Sequence, residues 1–256
     1  MTSNRIVALI SDFGLKDAYA GQMAAAVIAH TPRPHVVSLT HDIPPHDIAF
    51  GAIVTAACIE RLPVGSIVVA VVDPGVGGER RGLIVRASSR WLVGPDNGIL
   101  MAAPDISGVW CLDRPEYWTR PAHPTFHGRD VFAPIAGHLA RYIRPDTLGA
   151  RIEDPVRAPA RLARETSDGV DGEVIHIDHF GNLITNISPA AVAGVTRGMI
   201  QFGSESIGKL QSAYGHGDDL IALTSSLGLV EIAMPSGNAA VRLSASRGDR
   251  VSVRSA

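Results

Sequence analysis

The first 73 residues alternate short apolar runs with helix-like segments, and this alternation constrains the fold more than any other feature of the sequence. Three apolar, β-branched runs predict strands, and the two segments between them have helical spacing of their apolar residues. In chain order the five segments read RIVALI, AYAGQMAAAVIAH, HVVSLT, PPHDIAFGAIVTAACIERL and GSIVVAVVD. Strands separated by helices in this way pair in parallel and are covered on both faces. The amino-terminal half is therefore predicted to hold a largely parallel sheet between helices.

The pattern changes twice further along the chain. GLIVRA and RWLVG, which begin at residues 82 and 90, predict two strands with no helix between them, and residues 129–143 predict a further helix. The next stretch is rich in Pro, Arg and Asp without apolar periodicity, which is typical of a linker, and beyond it come short β-type runs that indicate a small antiparallel barrel or sandwich. We predict an N-terminal α/β domain (1–150), a linker (151–168) and a smaller, β-barrel-like C-terminal domain (169–256).

Charge and cysteine content limit the classes of function and the cellular compartments that fit this sequence. Twenty-three Lys and Arg residues oppose 25 Asp and Glu residues, so the formal net charge of -2 gives no overall field that would attract nucleic acid or an anionic membrane. Cys58 and Cys111 lie in apolar runs and form no CxxC pair, which is typical of free thiols in a reducing compartment. No run approaches the roughly 18 apolar residues of a membrane span. These features predict a cytoplasmic protein with a small-molecule partner.

The segment VVDPGVGGERRG, residues 71–82, carries more charge than a turn needs. Its glycines invite comparison with a dinucleotide-binding loop, but that loop opens a helix directly, whereas here Asp73 and Pro74 intervene and a β-type run follows. One alternative is a glycine-rich turn in which Asp73 accepts backbone hydrogen bonds. The other places Asp73 at the carboxyl end of a parallel strand, where open α/β sheets bind ligands, with an arginine of the same loop facing it.

Three other loops carry candidate polar residues. Asp12 in SDFG follows the first strand, and it either caps the next helix or accepts hydrogen bonds from a vicinal diol such as a ribose. His127 in PTFHGRD precedes a glycine that allows close approach, although a single histidine in a loop is usually a solvated side chain. In THDIPPHD, two prolines separate His41 from His46 and a third-ligand cluster is lacking, so the segment predicts the start of a helix and no metal site.

The second domain contains one polar pattern of its own. The run IDHFGNLITNI places Asp178, Phe180 and Asn182 at alternating positions, which predicts that their side chains share one face of a strand. A carboxylate, an aromatic ring and a carboxamide on one face suit an ammonium group and a purine. The alternative is a solvated sheet edge with a turn at Gly181.

Taken together, SDFG, VVDPGVGGERR, TFHGRD, IDHFGN and SSLGLVEIA, in this order, resemble the S-adenosyl-L-methionine hydroxide adenosyltransferase family, hydrolases related to fluorinase and chlorinase. The resemblance covers nearly the whole chain. It implies that water or hydroxide attacks the 5′ carbon of S-adenosyl-L-methionine, giving adenosine and L-methionine without a cofactor or metal. It also implies a homotrimer with active sites between the first domain of one subunit and the second domain of its neighbour.

The resemblance further implies roles for individual residues. The catalytic Asp, Arg and His of the family fall on Asp73, Arg80 and His127. The residues implied to bind substrate extend over both domains, with the ribose site first and the methionine end last: Asp12, Asp73, Asn182, Phe180, Asp178, Ser225, Ser226, Glu231 and Met234.

Two other functions would share parts of this pattern. A halogenase would use the same scaffold with chloride or fluoride as the nucleophile, and the halogenases of the superfamily carry tyrosine where this chain has Asp73. A non-catalytic sensor would bind adenosine or S-adenosyl-L-methionine without turnover. Product analysis distinguishes hydrolysis from halogenation, and any turnover excludes the sensor.

Overall fold

The computed structural model describes residues 5–31, 35–159, 163–196 and 198–255. Contacts divide the chain into two compact units, residues 1–159 and 160–256. The boundary falls inside the predicted 151–168 linker, of which residues 160–162 lie outside the described residues. On its two sides, Ala150–Arg151 and Arg164–Thr166 form short strands of the first and the second unit, respectively.

The first unit is built on a seven-stranded sheet. Its strands are β1 (Ile6–Ser11), β2 (His35–Thr40), β3 (Ile67–Val71), β4 (Gly82–Ala87), β5 (Arg90–Pro95), β6 (Ile106–Cys111) and β7 (Ala150–Arg151), in the order β2-β1-β3-β5-β4-β6-β7. The first four strands in this order pair in parallel, and the remaining pairs are antiparallel. In this order the sheet is thus parallel from β2 to β5 and antiparallel from β5 to β7. This mixed sheet confirms the predicted α/β class. β1, β3 and β5 all end at one edge of the sheet, because parallel strands share a direction.

Helices cover both faces of this sheet. They are α1 (Tyr19–His30), α2 (Ile48–Ile59), α3 (Ala133–Ala140) and α4 (Pro145–Leu148), together with a 3-10 turn at Pro115–Tyr117 and a π-helical turn at Gly128–Phe132. Alternate residues of β1 and β3 point to opposite faces, and both sets are buried. One set packs in a core with α1 and α3, and α2 packs on the other face, where Gly51 approaches Val72.

The helix predicted at residues 129–143 is shorter than its sequence pattern suggests. The α-helix begins only at Ala133 and ends at Ala140. Pro134 has no N–H to donate to the carbonyl of Asp130, and that carbonyl instead accepts a hydrogen bond from Thr119 N at 2.8 Å. The preceding turn therefore takes up π-helical geometry, which brings the 123–128 loop directly against the start of the helix.

The second unit is a nine-stranded, nearly closed barrel-like sheet, as predicted. Its strands are β8 (Arg164–Thr166), β9 (Gly169–Ile177), β10 (Leu183–Thr185), β11 (Met199–Phe202), β12 (Glu205–Gly208), β13 (Leu210–Gln211), β14 (Ile221–Thr224), β15 (Val230–Ala233) and β16 (Arg250–Arg254). The order is β12-β11-β16-β9-β10-β15-β14-β13, with β8 paired to β9, and β12 also approaches β14. Two short helices, α5 (Pro189–Ala193) and α6 (Ala239–Leu243), complete the unit. Most of its buried apolar side chains form a core of their own, and Ile221, Leu223 and Ala233 form a small second cluster.

The helices of the described residues are all too short or too polar to cross a lipid bilayer.

Two glycines of the first unit provide opposite tests of this packing. A Cβ added to Gly94 in β5 would lie 2.3 Å from the carbonyl oxygen of Ala70 in β3, whereas one added to Gly21 in α1 would meet nothing within 4 Å. We expect Gly94→Ala to destabilise the fold by about 1–3 kcal/mol, because the backbone must shift. We expect Gly21→Ala to stabilise it by about 0.5–1 kcal/mol through helix propensity. Urea unfolding of both variants measures this, and equal effects of the two would contradict the packing described.

Candidate active site

Asp73 and Arg80 face each other across one loop that follows β3. Arg80 Nε donates to Oδ1 and Oδ2 of Asp73 at 2.9 and 3.1 Å, and Arg80 Nη2 makes a further contact with Oδ2. Both side chains are largely withdrawn from solvent, with 13% of Arg80 and 5% of Asp73 exposed. The guanidinium carbon of Arg80 also lies over the Phe132 ring, 5.3 Å from the ring centre. The two-pronged contact fixes the orientation of the Asp73 carboxylate.

His127 joins this pair through the arginine. Arg80 Nη2 and His127 Nδ1 are 2.8 Å apart. A guanidinium has only donors, so Nδ1 must accept and the proton of the neutral ring resides on Nε2. Burial, and next the positive charge of Arg80, lower the pKa of His127 below its ordinary value. The arrangement therefore keeps the imidazole neutral in a single tautomer, with Nε2–H as its donor.

Close approach of two loops brings His127 to the Asp73 loop. Gly77 has a φ of +77°, and a Cβ there would lie 2.6 Å from the carbonyl oxygen of Pro124. Only glycine combines this backbone conformation with this proximity. The 123–128 loop is itself held by Asp130, whose Oδ2 accepts from His123 N at 2.8 Å and which pairs with Arg129. Burial opposes ionisation of Asp130, but these hydrogen bonds hold its pKa below the ordinary value.

Asp12 lies in the same cavity as Asp73 and His127, and its half-buried carboxylate accepts from His46 N at 2.9 Å. The cavity has a volume of about 280 Å³. Its lining residues come from the end of β3, the start of α1, the loops after β1 and β3, and the 41–47 and 123–128 loops: Asp12, Phe13, Tyr19, Pro45, His46, Val71, Asp73, Val76, Thr125, Phe126, His127 and Gly128. Arg80 lies behind this lining, bound to both Asp73 and His127.

An aromatic wall on one side of the cavity was not identified from the sequence. Phe13, Tyr19 and Phe126 pack edge to face, with ring centres 5.5–6.3 Å apart. Gly128 allows the ring of Phe13 to approach, because a Cβ there would lie 3.1 Å from its tip. Phe13 follows Asp12 in SDFG and Phe126 precedes His127 in TFHG. Their positions next to candidate site residues were the sequence features that could have identified them.

The THDIPPHD segment leads into α2, as its interpretation as a helix start predicted, and its Pro45 and His46 also line the cavity. Asp47 Oδ1 accepts from Phe50 N at 3.0 Å and so caps α2. His41 is 3% exposed, and its ring nitrogens lie 2.7 Å from Ser11 Oγ and 3.0 Å from Ser38 Oγ. Burial lowers the pKa of His41. The described residues contain no group of three or more His, Cys, Asp or Glu side chains arranged to hold a metal ion.

In the second unit, the prediction that Asp178, Phe180 and Asn182 share a strand face was wrong. β9 ends at Ile177 and β10 begins at Leu183, so all three lie in the turn of a hairpin. Asp178 causes this geometry: its Oδ1 accepts from Phe180 N and Asn182 N at 2.9 and 2.8 Å, and its Oδ2 accepts from Asn182 Nδ2 at 3.0 Å. Gly181, with a φ of +83°, completes the turn. Phe180 is left 72% exposed, and Asn182 is buried.

A buried carboxylate, that of Glu231, lies near this turn. Glu231, 4% exposed in β15, accepts a hydrogen bond from Tyr214 Oη at 2.5 Å. Desolvation chiefly, and also the nearby charge of Asp178, raise the pKa of Glu231, while the hydrogen bond from Tyr214 opposes them. The bond to Glu231 in turn raises the pKa of Tyr214 to about 12. Tyr214 was not identified from the sequence, since no motif surrounds it.

The remaining predicted residues of the second unit have mixed surroundings. Ser225 is buried and turns the chain after β14, with its N donating to Leu229 O at 2.8 Å, and Ser226 beside it is exposed. Met234 is half-buried and packs against the core of the unit. Each unit thus assembles its own set of polar residues, Asp12, Asp73, Arg80 and His127 in the first and Asp178, Asn182 and Glu231 in the second.

Comparison with known proteins assigns the chain to a family. The models of the S-adenosyl-L-methionine hydroxide adenosyltransferase N-terminal and C-terminal domains match residues 7–149 and 172–252. The chain belongs to this family. The resemblance noted in the sequence motifs is therefore confirmed over both units.

Proteins similar to this chain match it along most of their length. A protein of Thermus thermophilus named (R)-S-adenosyl-L-methionine hydrolase is 38% identical, over 92% of this chain and 94% of its own. A fluorinase of Nocardia brasiliensis is 26% identical over 71% of each chain. The crystal structure of an uncharacterised conserved protein from Thermotoga maritima superposes with a TM-score of 0.86 at 26% identity, covering 97% of this chain and 100% of that one.

The contact between Arg80 and His127 predicts a measurable titration. We expect the pKa of His127 to lie below the ordinary value of about 6.5, so that the ring stays neutral until the pH falls further than for a solvated histidine. In Arg80→Met the pKa should rise, because a lowering charge is removed. Proton NMR, with the resonance assigned by its loss in His127→Gln, measures both values.

The exposed Arg61 provides a matched control for this titration. Arg61→Met removes the same charge elsewhere and should leave the pKa of His127 unchanged. An unchanged pKa in Arg80→Met would contradict the proposed pairing.

Proposed function

We propose that this protein hydrolyses S-adenosyl-L-methionine to adenosine and L-methionine, using the Asp73–Arg80–His127 group of the first unit. The observation that carries this proposal is the neutral histidine tied through Arg80 to an oriented carboxylate at one cavity. The chain also belongs to the hydroxide adenosyltransferase family, and a relative that it matches over nearly the full length is named a hydrolase.

The reaction requires little help at the leaving group. The oxygen of water forms a bond to the 5′ carbon, and the carbon–sulfur bond breaks with its electron pair passing to sulfur. The sulfonium cation thereby becomes the neutral thioether of L-methionine, and one proton of the attacking water is released to solvent. Since sulfur leaves without a charge, neither a general acid nor a Lewis acid is needed, and catalysis consists of presenting and stabilising the nucleophile.

His127 acts on the water as a hydrogen-bond donor. Its Nδ1 is occupied by Arg80, so its Nε2–H is the group that can donate to the oxygen and stabilise developing hydroxide. Asp73 holds the guanidinium that holds the ring, and its carboxylate lies in the same cavity. Arg80 contributes its positive charge from behind both partners. The three side chains therefore act as a unit on one water.

The other polar residues fit the remaining parts of the substrate. The carboxylate of Asp12 can accept from the two ribose hydroxyls. In the second unit, Asn182 and the exposed ring of Phe180 suit the adenine. The carboxylates of Asp178 and Glu231 suit the ammonium and sulfonium charges, and Ser225, Ser226 and Met234 line the methionine end.

The charge of the cavity favours water over a halide. Asp12 and Asp73 both place carboxylates at its wall. Because Arg80 neutralises Asp73, the two carboxylates and the guanidinium together carry one net negative charge, which disfavours a halide ion. Water is neutral and can both donate and accept hydrogen bonds.

The finer properties of the enzyme follow as parts of the same proposal. It works without a cofactor or metal, and as a homotrimer in which the first unit of one subunit and the second unit of its neighbour complete each active site. The free thiols of Cys58 and Cys111 support a cytoplasmic location.

The products provide the first test. In a chloride-containing buffer made with oxygen-18 water, we expect adenosine labelled at its 5′ hydroxyl and unlabelled methionine, with the rate unaffected by exhaustive chelation. Liquid chromatography with mass detection measures this. A 5′-halogenated nucleoside as the main product would make the protein a halogenase, and unaltered substrate after long incubation would indicate a sensor.

Mixing inactive variants tests the shared site. Asp73→Asn damages the first unit and Asp178→Asn the second, so each should be nearly inactive alone. Co-expressed, they should recover roughly a quarter of wild-type activity, because that share of interfaces pairs two intact units if subunits assemble at random. The matched control mixes Asp73→Asn with His127→Gln, both in the first unit, and should recover nothing. Absence of recovery in the first mixture, with mixed assemblies present, would refute sharing.

A further inference from the structure

Residues 95–98 (PDNG), at the end of β5, lie at the edge of the sheet that carries the candidate active site. β5 runs parallel to β3, so Pro95 and the residues after it emerge at the same edge as Asp73. Asp96 and Asn97 therefore come next to the 72–81 loop, although they lie outside every motif considered in the sequence. Neither residue is among those that line the cavity.

Asn97 binds one end of the catalytic loop. Its Nδ2 donates to the carbonyl oxygen of Val72 at 2.8 Å, and Val72 directly precedes Asp73. Its Oδ1 accepts from Ile99 N at 3.2 Å, which fixes the orientation of the carboxamide. The side chain thus ties the backbone next to Asp73 to the end of the neighbouring strand.

Asp96 binds the other end of the same loop. Its side chain is 2% exposed, and Oδ2 accepts from Arg81 Nε and Nη2 at 2.8 and 2.7 Å. Its backbone N donates to Arg81 O at 2.9 Å, and its Oδ1 accepts from Val156 N at 2.8 Å. Arg81 directly follows Arg80. The carboxylate therefore fixes the residue beside the guanidinium that contacts Asp73 and His127.

We propose that Asp96 and Asn97 are positioning residues that hold both ends of the 72–81 loop and so fix the Arg80 guanidinium against Asp73 and His127. The two side chains contact neither the cavity nor the catalytic side chains, and they act through Val72 and Arg81. A shift of the loop by a fraction of an ångström would lengthen the 2.8 Å contact from Arg80 to His127. Contacts of this kind lose their effect steeply with displacement.

Asp96→Asn is the principal variant, because it keeps the size of the side chain and removes the charge that binds Arg81. We expect kcat to fall on the order of tenfold, with the dissociation constant of adenosine within about twofold of wild type. In an Arg80→Ala background the same substitution should not lower kcat further, because the group through which it acts is gone. A purely structural role would lower kcat by the same factor in both backgrounds.

The titration of His127 provides a readout that does not depend on the reaction. If Asp96→Asn loosens Arg80, the pKa of His127 measured by NMR should rise toward the value found in Arg80→Met. The control is Asp154→Asn, which removes the other, 78% exposed, carboxylate partner of Arg81 and should change neither the pKa nor kcat. Because the kcat arm rests on the proposed hydrolysis and the NMR arm does not, failure of one proposal is distinguishable from failure of the other.

Asn97→Ala tests the contact of Asn97 with Val72 O, and it replaces Asp96→Asn as the test variant if that protein does not fold. It removes the tie to Val72 and should also raise the pKa of His127 and lower kcat. A folded Asp96→Asn or Asn97→Ala protein in which the pKa of His127 stays at its wild-type value would overturn the proposal, whatever its activity. Equal losses of kcat with and without Arg80 would overturn it as well.

Discussion

The guanidinium of Arg80, bound on one side by Asp73 and on the other by His127, is the interaction on which the site depends. It is a donor at every nitrogen, so it determines at once the orientation of the carboxylate and the protonation of the imidazole. The apolar strands beneath it are buried on both faces and provide a rigid base. Gly77 of the 72–81 loop lets the 123–128 loop come close enough for the histidine to reach the arginine.

The strands β1 to β5 and the helices α1 and α2 could be predicted, because each of these strands is a short, mainly apolar run and each of these helices has its own periodicity. β6, β7 and α4 were not predicted. What the sequence did not reveal was the direction of β5. Its strand was identified, but a run of six residues carries no sign of whether it pairs in parallel with β3 or only in antiparallel with β4, and it does both. That direction decides where Asp96 and Asn97 lie, so their proximity to Asp73 emerged only from the structure.

The second unit shows a different limit of prediction. Alternation of Asp178, Phe180 and Asn182 has the period of a strand, yet the Asp178 carboxylate accepts three hydrogen bonds from its own next four residues and closes a turn. A short polar side chain that competes for backbone donors overrides the period. Similarly, the helix predicted from residue 129 begins as an α-helix only at Ala133, next to Pro134, and the turn before it is π-helical. In both places the hydrogen-bonding capacity of one residue, an added acceptor at Asp178 and a missing donor at Pro134, overrides the sequence pattern.

The spacing of the three catalytic residues along the chain has a consequence for how the site forms during folding. The Asp73–Arg80 contact spans seven residues, whereas the contact from Arg80 to His127 spans 47. Closing the longer loop costs about 1.7 kcal/mol more in chain entropy by the logarithmic scaling of loop closure. The ion pair is thus a local contact that the β3–β4 connection can make by itself, while the histidine joins it only when α3 has docked on the sheet. Loop-closure entropy therefore favours an order of assembly in which the charged pair forms before its contact with the histidine.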